Sequence, residues 1–84
     1  MSKTSRANVY MKVDEEREYQ DQKWGNSKHT PTEWLVYIRD YTEEALHILS
    51  REYDNVANLK ALSNIRKITA LGVACMEEHD TPNR

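Results

Sequence analysis

The sequence has little of what stabilises disulfide-rich, sheet or membrane proteins. Its 84 residues contain one cysteine, two glycines, two prolines and no phenylalanine. A single cysteine cannot form a disulfide within the chain, and Cys75 lies in the apolar run 71–76, where we expect a small buried hydrophobe rather than a reactive thiol. Because there is no N-terminal apolar segment and no long apolar run, we expect an intracellular, cytoplasmic protein with no membrane partner.

The composition favours helices. Hydrophobic residues make up 38% of the chain and charged residues 31%, a balance that, with so few glycines and prolines, predicts an all-α fold. The formal net charge of −2 gives no reason to expect binding to a nucleic acid duplex. A chain of this length buries only a modest core, so we expect its stability to be completed by homo-oligomerisation.

Turn signals divide the chain into helices. Gly25 is typical of the position just past a helix C-terminus, where a positive φ favours glycine. Thr30, Pro31 and Glu33 predict a capping box, in which the threonine hydroxyl accepts from the amide of residue 33 and the glutamate reaches back. Because only the short polar segment 26–30 separates these signals, we expect the first two helices to be antiparallel neighbours.

Apolar spacings of three and four residues predict three long helices in an antiparallel bundle. These are residues 7–24, 31–53 and 56–79 of a single helical domain, 7–79, with 1–6 a flexible N-terminus and 80–84 a tail. The second helix has the broadest apolar stripe, which predicts that it is the central one. It is expected to end near Tyr53.

Two helices carry features that modify this pattern. The inward row of the first helix includes Arg17 and Gln20. We expect the acidic residues in the middle of this helix, 14–16 and 18, to form a solvated face; the alternative is that one of them, Glu16 or Glu15, points into a shared site. In the third helix, residues 70–74 are small and apolar, so we expect them to be buried against more than one helix, with Gly72 allowing close backbone approach. An N-cap at Ser63 would instead split this helix in two.

Several short runs together resemble small proteins common in phages and prophages. The runs are residues 19–25, 29–31, 33–35, 37–38, 65–68 and 70–71. Those proteins are in turn similar to MazG-like, all-α nucleoside triphosphate pyrophosphohydrolases. The resemblance covers about residues 15–79, and it implies a helical, usually oligomeric fold that binds nucleotides.

The resembling enzymes hold Mg²⁺ with two carboxylate pairs, because hard oxygen ligands three residues apart on a helix can share one cation. Here the first pair would be Asp40 and Glu43, whereas the second falls on Asn64 and Lys67, which have no carboxylate. The resemblance therefore implies a degenerate metal site and binding without efficient hydrolysis. Mg²⁺ is expected only if the chain is an enzyme.

The leading hypothesis is a protein that binds a nucleotide or nucleotide-derived signal where the end of the first helix, the 25–30 loop and the middle of the other two helices meet. Basic side chains would contact phosphate and a tryptophan would stack on a base. The candidate residues are Lys23, Trp24, His29, Trp34, Tyr37, Arg66 and Lys67. If the source is a phage, such a binder could sequester a signal made by host defence.

Two alternatives stay open. One is a Mg²⁺-dependent nucleoside triphosphate pyrophosphohydrolase, with carboxylates from the first two helices and a site completed by oligomerisation. The other is a non-enzymatic protein–protein interaction module, in which the tryptophans and tyrosines form core and partner surface, as aromatic residues at helical spacing usually do.

Overall fold

A computed structural model describes residues 3–25, 27–51 and 54–84, and these residues form three α-helices without a strand. The helices are α1 (Arg6–Trp24), α2 (Pro31–Arg51) and α3 (Asn55–His79). The all-α class is confirmed, and the predicted helix boundaries differ from the observed ones by no more than about two residues where the chain is described. Tyr53, the expected end of the second helix, and Asn26 lie outside the described residues.

Side-chain caps explain where the helices begin. The Ser5 hydroxyl accepts from the Asn8 amide at 3.2 Å, and the Asp54 carboxylate accepts from the Ala57 amide at 2.8 Å. At α2 the capping box is confirmed, since the Thr30 hydroxyl accepts from the Glu33 amide at 3.2 Å and the Glu33 carboxylate accepts from the Thr30 amide at 2.8 Å. Such caps satisfy amides that the helix itself leaves unpaired.

α3 runs without interruption from Asn55 to His79, so the alternative of a third helix split at Ser63 is wrong. The Asp54 cap provides the start of this helix, and the Ser63 hydroxyl instead accepts from Arg66 at 3.3 Å. Within the described ranges, no helix combines the length and the apolar character needed to cross a membrane.

α3 is the central helix, because both α1 and α2 pack against it while α1 and α2, as far as they are described, do not approach each other. The predictions that the second helix is central and that the first two helices pack as neighbours are therefore wrong. The small side chains of Ala70 and Ala74, both buried, make close packing on α3 possible from two sides.

The α2–α3 contact is apolar and the two helices run in opposite directions. Trp34, Leu71 and Ala74 form its buried cluster, with Ile38, Tyr41 and Cys75 packed around them. Near the other end, the Asn64 amide donates to the Tyr41 carbonyl at 3.1 Å. Cys75 is half-buried among apolar neighbours, which fits the expectation of a small hydrophobe.

Three side-chain hydrogen bonds join α1 to α3, and we call this group of bonds the polar seam. Arg66 Nε donates to Glu16 Oε1 at 2.8 Å, Arg17 Nε donates to Glu77 Oε2 at 2.6 Å, and the Gln20 amide donates to the Lys67 carbonyl at 3.4 Å. Glu16 and Gln20 are buried. The predicted polar interruption of the first helix is thus confirmed. The expected solvated face is wrong for Glu16, which is buried and paired with Arg66.

The two glycines have different roles. Gly25 has φ 65° and ψ −146°, close to a region of backbone space that essentially only glycine occupies, which lets the chain leave α1. Gly72 lies inside α3, and a Cβ added there would have no atom within 4 Å. The expectation that Gly72 allows a close backbone approach is therefore wrong within this chain.

We expect Gly25→Ala to lower the free energy of unfolding by about 1–3 kcal/mol, entirely through backbone strain, because a Cβ there would also meet nothing within 4 Å. Gly72→Ala is the matched control, and it should raise the free energy of unfolding by about 0.5–1 kcal/mol, since alanine is the better helix former. Urea unfolding followed by circular dichroism measures both. Equal effects of the two substitutions would contradict this account of the turn.

Thr30→Ala should lower the free energy of unfolding by about 1 kcal/mol, because it removes the hydroxyl that caps α2. Thr32→Ala, an exposed change in the same first turn, is the control and should have little effect. The same urea titrations compare the two variants. Equal free energies of unfolding for Thr30→Ala and Thr32→Ala would show that the cap does not stabilise the protein.

Candidate functional site

A cavity of about 640 Å³ lies where the ends of α1 and α3 meet the 27–29 loop and the first half of α2. Five aromatic side chains line it, and we call this the aromatic cavity. They are Trp24, His29, Trp34, Tyr37 and Tyr41. Leu71 and Ala74 of the α2–α3 core also line it, so the core extends directly into the cavity wall.

Three of the rings pack edge to face. The centroid of the His29 ring lies 4.9 Å from that of Trp34 at an interplanar angle of 90°, and 5.1 Å from that of Tyr37 at 75°. The Trp34 and Tyr37 centroids are 6.5 Å apart at 80°. These separations lie in the range at which aromatic pairs attract, so the rings hold one another in place.

The Glu78 carboxylate fixes the 27–29 loop against α2 and α3. It accepts from the His29 amide at 3.1 Å and from the Trp34 indole Nε1 at 3.0 Å. The His79 ring adds a second tie, because its Nε2 donates to the His29 carbonyl at 2.6 Å. Residues from the loop, α2 and α3 are thereby joined at a single carboxylate.

These bonds also hold Glu78 ionised. The hydrogen bond from the His29 amide lowers the pKa of Glu78 most; partial burial opposes this, and the Trp34 indole lowers it further. The nearby charges of His79 and Lys28 act in the same direction as the hydrogen bonds. Glu78 is therefore a structural acceptor and not a group poised to exchange protons near neutral pH.

Arg17 joins the α1 side of the aromatic cavity to α3. Its guanidinium donates to Asp21 Oδ1 at 3.0 Å and Glu77 Oε2 at 2.6 Å. Burial acts to lower the pKa of Arg17, but the hydrogen bonds and charges of Glu77 and Asp21 outweigh it, so the pKa is raised. The pair of carboxylates is thus neutralised in part by one permanent cation.

The structure brings together four of the seven residues predicted to bind ligand, since Trp24, His29, Trp34 and Tyr37 all line the aromatic cavity. The other three are the basic ones. Lys23 Nζ lies over the Trp24 ring, 5.3 Å from its centroid, and Lys67 Nζ lies over the Tyr41 ring, 5.6 Å from its centroid, so two of them contact rings that line the cavity.

Arg66 does not join the other predicted residues, because the polar seam draws its guanidinium to Glu16. Three lining residues that matter were not among the predicted ones, namely Arg17, Lys28 and Glu78. A glutamate in the last turn of a helix, where basic residues are favoured, was the one signal that could have indicated Glu78.

The residues predicted to hold Mg²⁺ do not line the aromatic cavity. Asp40 and Glu43 lie 3.8 Å and 4.0 Å from the Arg39 guanidinium, and Asp40 borders a smaller cavity of about 310 Å³. Asn64 and Lys67, the positions of the second pair, are engaged with Tyr41. In the part of the chain that the structure describes, no three His, Cys, Asp or Glu side chains cluster as metal ligands would, so this donor set does not fit a carboxylate site within one chain.

No protein-family model, curated protein or solved structure matches this chain. The similarity to MazG-like enzymes therefore stays a prediction from short sequence runs. The function has to be inferred from the geometry of the aromatic cavity.

The lowered pKa of Glu78 predicts a pH dependence of stability. A carboxyl whose pKa is depressed by folding contributes stability above its unfolded pKa of about 4.3 and loses it as the pH falls through the folded value. Glu78→Gln should therefore destabilise the protein at pH 7 and flatten the loss of stability below about pH 4.3.

Glu44→Gln, at an exposed glutamate of α2, is the control. It should leave the loss of stability between pH 4.3 and pH 3 as it is in wild type. Denaturant midpoints measured by circular dichroism between pH 3 and pH 7 give all three curves. An unchanged loss of stability over this pH range in Glu78→Gln would mean that this carboxylate does not hold the loop in solution.

Proposed function

We propose that this chain binds a nucleotide, or a signal derived from one, in the aromatic cavity and does not hydrolyse it efficiently. The observation that carries the proposal is the gathering of five aromatic side chains around one cavity of about 640 Å³. Cavities of about 300–1,000 Å³ are typical of small-molecule sites, and aromatic walls with a few polar groups are their usual lining.

The rings supply surfaces for a flat base. Trp34 is buried in the core, whereas Trp24 and Tyr37 are exposed along part of their area and still line the cavity. A nucleobase can stack on such rings whatever its identity, because every base has a π face. This arrangement supports base binding in general and favours no particular nucleotide.

Cations near the rings suit a phosphate. Arg17 is committed to two carboxylates, but Lys28 lines the cavity and takes part in none of the ion pairs found among the described residues. Lys23 does not line the cavity, but its ammonium stands over the ring of Trp24, which does. An ammonium on a flexible stem is a common phosphate contact, so these two lysines are the proposed partners of the phosphate.

The chemistry of two side chains supports binding without efficient hydrolysis. Asn64 uses its amide to donate to the Tyr41 carbonyl, and Lys67 places a positive charge over the Tyr41 ring. Both stand where the resembling enzymes have carboxylates, and neither offers an anionic oxygen. If the chain is phage-encoded, tight binding in the cytoplasm without turnover would sequester a nucleotide signal made by host defence.

We also propose that the helices belong to an antiparallel bundle completed by homo-oligomerisation. Large apolar side chains remain exposed on all three helices, which also favours the second candidate function, a protein–protein interaction module.

Mass spectrometry of small molecules released from the purified protein separates the candidates. A co-purifying nucleotide supports nucleotide binding. If no nucleotide is released, and calorimetric titration with nucleoside mono-, di- and triphosphates gives no heat of binding, the nucleotide proposal is overturned.

Trp24→Ala should weaken the affinity for the released nucleotide by about tenfold, because stacking on one ring contributes about 1–3 kcal/mol per base. Tyr10→Ala removes an exposed ring from the same helix, far from the cavity lining, and should leave the affinity unchanged. Isothermal titration calorimetry measures both variants. Equal affinities for Trp24→Ala and wild type would place the base elsewhere.

A further inference from the structure

The first half of α3 exposes a row of branched aliphatic side chains over more than half of their area. Val56, Leu59, Leu62 and Ile65 are each between 52% and 66% exposed. They follow one another every three residues, so neighbouring members lie on adjacent turns, and the row winds around the helix with Leu59 and Leu62 at its centre; we call it the α3 strip. A strip of this kind on a helix is normally packed against another element.

The buried residues of the first half of α3 and the bonds that join this helix to α1 involve residues other than those of the α3 strip. α2 packs on a different face of the same helix, where Ala57, Ala61 and Asn64 are buried. α1 packs on α3 through the polar seam, whose contacts begin at Arg66 and continue to Glu77. The second half of α3 is therefore covered on two sides, and the first half on one.

The exposed area of the whole chain is larger than a compact monomer would leave. The accessible surface is 6830 Å², against about 5,200 Å² for a folded monomer of 9.9 kDa. The radius of gyration is 14.1 Å, against about 12 Å for a compact domain of 84 residues. The excess of about 1,600 Å² lies within the area that each subunit of an obligate homodimer buries, about 1,000–2,500 Å².

The charges around the α3 strip suit an identical partner. Residues 55–69 include no acidic side chain, and two of their three basic residues are turned elsewhere, Arg66 to Glu16 and Lys67 to the Tyr41 ring. The short polar residues beside the strip, Asn55, Asn58 and Thr69, are neutral. Lys60 is the third basic residue of this segment, so two copies would bring one lysine each to a face that is otherwise neutral, and a strongly charged partner would find few groups to pair with.

We propose that the α3 strip is the surface on which a second copy of this chain packs its own α3 strip about a two-fold axis. In that arrangement the two helices cross near the middle of the strip, so that Leu59 of each copy faces Leu62 of the other. A two-fold contact of this kind is self-complementary, which a single apolar strip with nearly neutral flanks can satisfy. The proposal does not rest on the ligand proposed for the aromatic cavity.

The mass of the full chain in solution, measured by light scattering coupled to size exclusion, tests the pairing. Wild type should have twice the 9.9 kDa chain mass, or an even multiple of it, and Leu62→Asp should return the chain to its monomer mass. Leu46→Asp is the control, because Leu46 is 63% exposed on α2. It should keep the wild-type mass.

Cross-linking decides the question even if Leu62→Asp does not fold by circular dichroism. In a Cys75→Ser background, Leu62→Cys should give a dimer with a short bismaleimide, and Leu46→Cys should give none. A monomeric wild type, a Leu62→Asp variant of unchanged mass, a loss of pairing in both aspartate variants, or equal cross-linking of the two cysteine variants would each overturn the proposal.

Discussion

The carboxylate of Glu78 is the point on which the arrangement of the aromatic cavity depends. It accepts from the amide that precedes α2 and from the indole of Trp34, so one side chain at the end of α3 sets both the entry of α2 and the orientation of its largest core residue. The rings of His29 and Tyr37 then pack against that indole. The cavity is consequently shaped by a short-range electrostatic contact, with apolar packing around it.

α3 divides the molecule into an apolar side and a polar side. On the α2 side, small and aromatic residues pack without buried charge, whereas on the α1 side Glu16 and Gln20 are buried and satisfied by Arg66 and a backbone carbonyl. Glu16 is buried and Arg66 is about half exposed, so their ion pair adds little net stability, but leaving the buried carboxylate without its partner would be costly. The polar seam therefore fixes where α1 lies without contributing much to the free energy of folding, and the α2–α3 contact supplies most of the core.

Features with a local cause could be predicted from the sequence, and features with a distant cause could not. The Thr30 capping box and the positive φ of Gly25 depend on residues within one turn, so composition and spacing were sufficient. The choice of α3 as the central helix depends on which faces match across the whole chain, and the broad stripe of α2 gave the wrong answer. Four cavity residues were found because aromatic residues cluster in the sequence. Glu78 was missed because its partners lie 44 and 49 residues away.

The last turn of α3 holds two adjacent glutamates at the end where helical carbonyls concentrate partial negative charge, an unfavourable position for an anion. The same Glu78 carboxylate lies beside the first turn of α2, where the helix dipole is positive and an anion is favoured. Within α3 alone the Glu78 carboxylate interacts unfavourably with the helix dipole, and packing against α2 adds a favourable interaction of the same carboxylate with the dipole of α2. The end of α3 is therefore tied to the start of α2, and we expect its amide protons to exchange with solvent through opening of the α2–α3 pair and not through independent fraying.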